Sequence, residues 1–233
     1  MSETTETIDE IQRPQCAVLF ELENLAFGAR QSVYDRVSKA VTGKKIPFSP
    51  IIFSRFCYNK GASDYVEPLA KFLGKSESAT ETLGKNLEAA VTSVANDLVD
   101  VDASVKRVVV EAKARGHKIA ALCHSDIDVA VALLKKVDAD LTEDDLFCYA
   151  PNALIEPSVD SWLKVTKLIG VPATRCVSFV TSGAAGKSAV SAGMKCVIRP
   201  DEFTSFEDMG GADLVVDKLS KDVVDLALGL LDK

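Results

Sequence analysis

The chain has 233 residues, enough for one large domain or for a core domain with a smaller insert. Its 34 acidic and 27 basic residues give a formal charge of −7, which argues against nucleic acid or an anionic membrane as a partner. No apolar run approaches the roughly 18 residues that cross a bilayer. The six cysteines form no CxxC pair, which favours reduced, buried thiols. We expect a cytoplasmic globular protein, and the polar, acidic residues 1–15 predict a flexible tail.

Short apolar runs alternate with segments of helical periodicity along most of the chain, which is typical of a parallel sheet flanked by helices. The predicted strands are Cys16–Phe20, Lys118–Cys123, Asp145–Tyr149, Cys176–Val180, Lys195–Ile198 and a short Asp213–Val216. The predicted core helices are Val105–Arg115, Ile127–Lys136, Ser158–Ile169, Ala184–Ala192 and Asp222–Leu231. This order predicts an α/β protein with a Rossmann-like, three-layer parallel-sheet core.

Residues 29–101 lack this alternation, because helical periodicity dominates Val66–Leu73 and Leu83–Leu98 and only Ile51–Phe53 resembles a strand. We therefore predict a helical cap over 29–101, inserted between core segments 16–28 and 102–233. The polar stretch Lys75–Thr82 is interpreted as a connection. Several side chains of the insert are candidates for ligand contact. For the aromatic ones, packing within the cap is the preferred interpretation: Phe48, Phe53, Phe56 and Tyr58. For the basic ones, a surface charge is preferred: Arg30, Arg55 and Lys60.

Two C-terminal stretches suggest a family. Glu156–Pro200 contains a helix that ends in LIGV and a later AGMKCVIRP turn and strand, and Gly211–Leu219 reads GADLVVDKL. With the order of elements, they resemble the haloacid-dehalogenase-like hydrolases, in the subgroup of phosphoglycolate phosphatase and β-phosphoglucomutase. The resemblance spans residues 16–230 and is weakest in the insert. It implies a site at the carboxyl ends of the strands, closed by the cap, for a small phosphorylated metabolite or another anion.

The first motif of that family carries two aspartates, a nucleophile that also binds Mg²⁺ and a general acid/base. Glu21 and Glu23 stand at these positions, and strand alternation predicts that they share a face. Each side chain is longer by one carbon–carbon bond, and a misplacement of about 1 Å can cost roughly 10²-fold in rate. The motif's glycine is Asn24, a residue that tolerates a left-handed backbone. We expect lost nucleophilic function, with a re-registered working pair as the alternative.

The second motif is a serine or threonine that binds the phosphoryl group. The favoured alignment places Cys123 there, and a thiol is a weak donor. Ser125 substitutes for it if the strand end shifts. His124 is a candidate binding residue, whereas a nucleophilic Cys123–His124 pair is disfavoured because adjacent strand residues face opposite sides.

The third motif is a lysine that neutralises the phosphate, and Glu156 occupies its position. The charge changes by two units where an anion would bind. At about 4 Å and an effective dielectric near 20, each gross Coulomb interaction is roughly 4 kcal/mol. This is the most damaging replacement for phosphate chemistry.

The fourth motif is an acidic pair that completes the Mg²⁺ shell, and here the chain reads Val180-Thr181-Ser182. A metal would be left with Glu21, the Thr181 position and water, a weak or lost site. The following GAAGKS lacks the spacing of a phosphate loop. Ser182, Lys187 and the adjoining helix N-terminus remain candidates for an anion-binding corner.

Together these replacements predict a degenerate hydrolase that is inactive or very weak and binds a metabolite or a protein. The alternative is an active Mg²⁺-dependent phosphohydrolase with Glu21 as nucleophile. No cofactor is expected apart from Mg²⁺ if activity is retained. A homo-oligomeric scaffold is a third hypothesis.

Overall fold

The computed structural model describes residues 15–41, 48–60, 62–92, 94–150 and 155–232. The predicted flexible tail lies outside these residues, apart from Gln15. Six strands form one parallel sheet in the order β3-β2-β1-β4-β5-β6. The strands are β1 Ala17–Glu21, β2 Lys118–Cys123, β3 Leu146–Cys148, β4 Cys176–Val180, β5 Lys195–Ile198 and β6 Leu214–Val215. All six lie within one or two residues of the predicted strands.

Helices cover both faces of this sheet. Alternate β1 residues face opposite sides: Val18 and Phe20 pack on one face, and Ala17 and Leu19 on the other. The first face is covered by α5 Ala103–Ala114, α6 Ile127–Val137 and α9 Lys221–Gly229, and the second by α7 Val159–Ile169 and α8 Gly183–Ser191. The three-layer α/β core is therefore confirmed.

The described residues between β1 and α5 contribute helices and no strand to the six-stranded sheet. These helices are α1 Ala29–Val41, α2 Pro50–Phe56, α3 Ala62–Phe72 and α4 Glu77–Thr92. The strand considered at Ile51–Phe53 is wrong, because Ser49 caps α2 through the Ile52 amide and Pro50 occupies its first turn. The polar connection at Lys75–Thr82 is also shorter than predicted, since α4 begins at Glu77. The hydrophobic cluster on the first sheet face continues into α1–α4 without a break.

Among the residues that the structure describes, no helix combines the length and the apolar character that a membrane span requires.

Candidate functional site

Polar side chains converge at the carboxyl ends of the central strands, where ligands bind in open parallel sheets. Glu21 ends β1, and His124 and Ser125 follow β2. Thr181 and Ser182 follow β4, and Ser182 caps α8 by accepting a hydrogen bond from the Ala185 amide at 3.0 Å. Because the neighbouring strands are parallel and in register, sequence positions 100 and 160 residues apart along the chain meet here.

Glu21 is bound to the end of β4. Its Oε2 accepts hydrogen bonds from the Thr181 amide and the Thr181 hydroxyl, both at 2.7 Å. Its Oε1 is buried and has no hydrogen-bond partner among the described residues. The Glu21 carboxyl group also contacts that of Glu156. Oε2 is therefore occupied by Thr181, and Oε1 is buried.

Glu23 is bound instead to the end of β2. It accepts hydrogen bonds from the amides of His124 at 3.2 Å and Ser125 at 3.0 Å, and from the Ser125 hydroxyl. The strand alternation from which a shared face of Glu21 and Glu23 was predicted does not extend to Glu23. The strand ends at Glu21, and Leu22–Ala26 forms a single wide helical turn, so strand alternation no longer holds.

Asn24 lies within that turn, and its carbonyl accepts a hydrogen bond from the Gly28 amide at 3.2 Å. The left-handed backbone considered for Asn24 occurs four residues later, at Gly28, where φ is 61°. Asn24 and His124 line the small cavity described below.

Cys123 does not take the place of the phosphate-binding hydroxyl. It is buried in the hydrophobic cluster of the first sheet face, next to Cys148. Burial raises the pKa of its thiol, and the nearby Glu23 carboxylate raises this pKa further. Ser125, the alternative considered for this position, lies at the strand end, and its hydroxyl is engaged by Glu23.

Glu156 is the centre of the site. Its Oε1 accepts hydrogen bonds from Arg30 at 3.0 Å and from the Tyr58 hydroxyl, and its Oε2 accepts one from Ser182 at 3.0 Å. Its amide donates to the Asn59 side chain at 3.1 Å. The carboxylate thus has charge-assisted partners from both the core and the helical insert.

Arg30 was interpreted as a surface charge, and this is wrong: its side chain is only 3% exposed. Besides Glu156, its guanidinium donates to the Thr181 hydroxyl at 3.2 Å and pairs with Asp201. It also lies 4.7 Å from the centre of the Tyr58 ring. Arg30 lies in the first turn of α1, so this buried cation joins the insert to the strand ends of the core.

The two central carboxyl groups differ in their proton affinity. Burial, followed by repulsion from the Glu156 carboxylate, raises the pKa of Glu21 well above its usual 4.5. Burial opposes the charge of Glu156 too, but Arg30 and hydrogen bonds from Glu21, Tyr58 and Ser182 hold the pKa of Glu156 below its usual value. Of these two coupled carboxyl groups, Glu21 is therefore the one that favours the proton and Glu156 the one that favours the negative charge.

The anion-binding corner considered around α8 is occupied by the protein's own carboxylates. Ser182 donates to Glu156, and the Ala184 amide donates to Glu207 at 3.2 Å. Lys187 lies on the exposed side of α8, where it pairs with Asp208 at 2.8 Å. Glu207 and Asp208 lie in the loop after β5. This loop passes so close to Gly183 that a side chain at position 183 would collide with the backbone of Asp208.

The cavity that remains in this closed arrangement is about 10 Å³, close to the minimum for a single water molecule. Its lining combines polar and apolar side chains from core and insert: Asn24, Arg30, Val33, Phe53, Tyr58, His124, Ile155 and Glu156. A sugar phosphate does not fit unless α1 and α2 move away from the strand ends.

An aromatic cluster holds the insert against the core beside the cavity. Phe203, in the loop after β5, is buried and packs on Tyr34 of α1 and Phe53 of α2, with ring centroids 5.2 and 5.4 Å apart. The Ser54 hydroxyl donates to the Phe203 carbonyl at 3.1 Å. Phe53 was correctly predicted as packing, whereas Tyr58 carries a hydroxyl that belongs to the site.

The residues do not fit the Mg²⁺ ion that the resemblance implies. Glu21 would be its carboxylate ligand, but burial and the Glu156 carboxylate raise the pKa of this group, and the guanidinium of Arg30 lies beside Thr181, the other predicted ligand. No group of three or more His, Cys, Asp or Glu side chains within the described ranges could hold a metal. A dication would meet a buried cation here, which costs Coulomb energy.

No sequence pattern assigns Asp201 and Glu207 to the site, and Arg30 and Tyr58, although considered as ligand contacts, are interpreted from the sequence as surface charge and packing. No motif marks them, because they lie on α1, after α2 and in the loop after β5, and only the fold brings them together. One signal was available: the charge reversal at Glu156 requires a buried cation nearby, and Arg30 is one of few basic residues close to the first motif.

Comparison with known proteins gives three findings. No family model matches the chain. Protein CbbY of Rhodobacter capsulatus is 26% identical over 133 residues, which are 56% of this chain and 59% of that relative, so less than two thirds of its length is matched. A crystal structure of CbbY from Rhodobacter sphaeroides in complex with xylulose-(1,5)-bisphosphate has a TM-score of 0.64 and 17% identity, over 88% of this chain and 95% of that one.

A HAD hydrolase, family IA, variant 3, from Entamoeba histolytica has a TM-score of 0.68 and 16% identity, over 94% of this chain and all of the other. At such identities a structural match establishes the fold. The chain has the fold of the haloacid-dehalogenase-like hydrolases, as the resemblance implied.

Proposed function

We propose that this chain, with its haloacid-dehalogenase-like fold, has no phosphohydrolase activity or only a residual one, and that it serves as a binding protein. The observation that carries the proposal is the Glu156 carboxylate, which accepts hydrogen bonds from Arg30, Tyr58 and Ser182. Glu156 stands at the position where the resemblance places a phosphate-neutralising lysine. A phosphoryl group would find these donors already paired with an anion of the protein.

The state of Glu21 supports the same proposal. A carboxylate attacks phosphorus only when it is ionised and aligned with the scissile bond. Burial and the Glu156 carboxylate raise the pKa of Glu21, which disfavours the ionised form, and its Oε2 is held by two hydrogen bonds from Thr181. Glu23 is likewise engaged by His124 and Ser125, which ties down the candidate acid/base.

Of the two kinds of ligand predicted from the sequence, the closed site favours a protein partner over a phosphorylated metabolite. The donors at the α8 N-terminus are bound to Glu156 and Glu207, and the cavity is only about 10 Å³. Titration calorimetry with inorganic phosphate and with xylulose 1,5-bisphosphate should give no binding heat at millimolar ligand. A saturable isotherm that disappears in Arg30→Ala would support the metabolite instead.

Hydrolysis is tested with the purified protein, Mg²⁺ and an aryl phosphate. We expect the wild type to turn over no faster than Glu21→Ala. Lys85→Ala is the matched control, because Lys85 is exposed and pairs with the equally exposed Glu81 one turn away on the same helix. A rate that is lost in Glu21→Ala and kept in Lys85→Ala would overturn the proposal and establish Glu21 as the nucleophile. An equal rate in all three proteins would identify a contaminating phosphatase.

A further inference from the structure

Two cysteines lie side by side at the carboxyl ends of neighbouring strands. Cys123 ends β2 and Cys148 ends β3, and the two are direct partners in the register of the parallel pair. Adjacent strands are about 4.7–4.9 Å apart, and the Cα atoms of a disulfide are usually about 4.4–6.8 Å apart. The backbone therefore already holds the pair at a separation that a disulfide allows.

The two side chains also point the same way. Both pack against the hydrophobic cluster of the first sheet face, and each thiol affects the pKa of the other. Cys123 is fully buried, whereas Cys148 is half-buried on the edge strand of the sheet. A small oxidant can thus reach one member of the pair while the other stands next to it.

We propose that Cys123 and Cys148 form a reversible intramolecular disulfide when the protein meets an oxidised low-molecular-weight thiol such as oxidised glutathione. The Cys148 thiolate attacks the glutathione disulfide, and one glutathione leaves as the thiol. Cys123 then loses its proton, attacks the Cys148 sulfur of the mixed disulfide and releases the second glutathione. The protein loses two hydrogen atoms, and one glutathione disulfide is reduced to two thiols.

The reaction is slow at neutral pH, because the attacking species is the thiolate. Burial raises the pKa of Cys148, and the nearby carboxylates of Glu23 and Asp126 act in the same direction. Because one thiol is buried and the other half-buried, with raised pKa values, the pair responds to sustained oxidising conditions and not to brief exposure.

The disulfide reaches the site through Ser125. The Cys148 thiol donates a hydrogen bond to the Ser125 carbonyl at 3.3 Å, and this bond is lost when the sulfur is oxidised. Ser125 in turn binds Glu23 through its amide and its hydroxyl. Oxidation therefore loosens the turn after β2 that fixes Glu23, whether or not the protein is a hydrolase.

The experiment is peptide mapping of the full chain after prolonged incubation with oxidised glutathione and alkylation of the remaining thiols. Trypsin cleaves between the two cysteines at Lys135 and Lys136, so the disulfide appears as a cross-linked peptide pair that dithiothreitol separates. We expect Cys123–Cys148 to be the cross-linked pair. Mixed glutathione disulfides alone, or a cross-link between other cysteines, would overturn the proposal.

Cys148→Ser should abolish the cross-link, and Cys16→Ser is the matched control that should keep it. Cys16 directly precedes β1, and β1 pairs with the strand that begins at Cys176, so Cys176 is a cysteine near Cys16. The two side chains nevertheless pack on opposite faces of the sheet. In the oxidised wild type, the amides of His124 and Ser125 should exchange hydrogen faster than in the reduced protein. Unchanged exchange would refute the link to Glu23, and the wild-type map identifies the pair even if a variant fails to fold.

Discussion

The charge reversal at Glu156 has structural consequences at several residues. A buried carboxylate is tolerated only with partners, and here Arg30 supplies the positive charge while Tyr58 and Ser182 supply neutral donors. Burial and Glu156 raise the pKa of Glu21, which disfavours a second negative charge beside Glu156. The replacements therefore form one connected network, and they are not independent losses.

Removing either Arg30 or Glu156 alone should lower the stability of the protein more than removing both. We expect Arg30→Met to destabilise the protein by about 3–5 kcal/mol, because Glu156 would be left as a buried charge without a counterion. The double variant Arg30→Met/Glu156→Met should recover most of this loss, since Met fills similar volume without a charge. Chemical denaturation of the four proteins of the cycle measures the effect.

The control for that cycle is the exposed Lys85–Glu81 pair on α4, for which Lys85→Met should change stability by less than about 0.5 kcal/mol. If the double variant were as unstable as the sum of the single ones, the ion pair would contribute nothing specific, and the network would have to be explained by packing.

At this scale the sequence predicted which motif positions are altered but not where their side chains go. Glu21 and Glu23 were found, yet their divergence depends on the helical turn at Leu22–Ala26, which no local pattern indicates. Arg30 was misjudged because a single basic residue early in a helix is usually exposed. Its burial depends on Glu156 and Asp201, more than 120 residues away in the sequence.

At the scale of elements, hydrophobic periodicity predicted every strand of the sheet and the core helices to within one or two residues at nearly every end. Buried parallel strands are continuous apolar runs, and this signal is local. The error at Ile51–Phe53 has the opposite cause. A short apolar run fits either type of element, and the Ser-Pro start that decides for a helix was not weighed.

The loop after β5 contributes to the site as much as any regular element. It supplies Asp201 to Arg30, Phe203 to the aromatic cluster and Glu207 to the start of α8. It has no regular repeat and no family motif, so its role could be found only from the three-dimensional structure.

Phe203 should be the main apolar contact between this loop and the helical insert. We expect Phe203→Ala to lower stability by about 3–5 kcal/mol, because it removes a buried ring from between Tyr34 and Phe53. Phe206→Ala, three residues later on a side chain that is 63% exposed, should change stability by less than about 0.5 kcal/mol. Thermal and urea unfolding would measure both, and similar losses in the two variants would contradict the assigned contact.

At the scale of the whole molecule, the network makes stability depend on pH in two directions. The pKa of Glu21 is raised, so its contribution is complete below about 4.5 and is lost as the pH rises through the folded value. The pKa of Glu156 is lowered, so its contribution is present above about 4.5 and is lost as the pH falls through the folded value. The site is therefore best satisfied at intermediate pH, with one proton between the two groups.

Glu21→Gln separates these contributions, because the amide has nearly the same shape as the carboxyl group but cannot ionise. We expect this variant to gain stability relative to the wild type as the pH increases from about 5 into the alkaline range. Denaturation midpoints measured across that range test the expectation. Parallel pH profiles for the two proteins would show that Glu21 is ionised in the native state. Exposed Glu81→Gln, on α4, is the control and should leave the profile unchanged.

The position of β1 has a consequence for how the chain reaches its native state. β1 is central in the sheet, yet its two neighbours, β2 and β4, begin about 100 and 160 residues later. Such long-range pairing closes large loops before contacts compensate for the lost entropy, which makes folding slow. During synthesis, the apolar segment Ala17–Phe20 has no partner strand until residue 123 has left the ribosome, and it is enclosed on both sides only after residue 180. The helices between β1 and β2 are synthesised before β2. They are therefore the structure that can pack against this segment and protect it from aggregation until its partner strands are available.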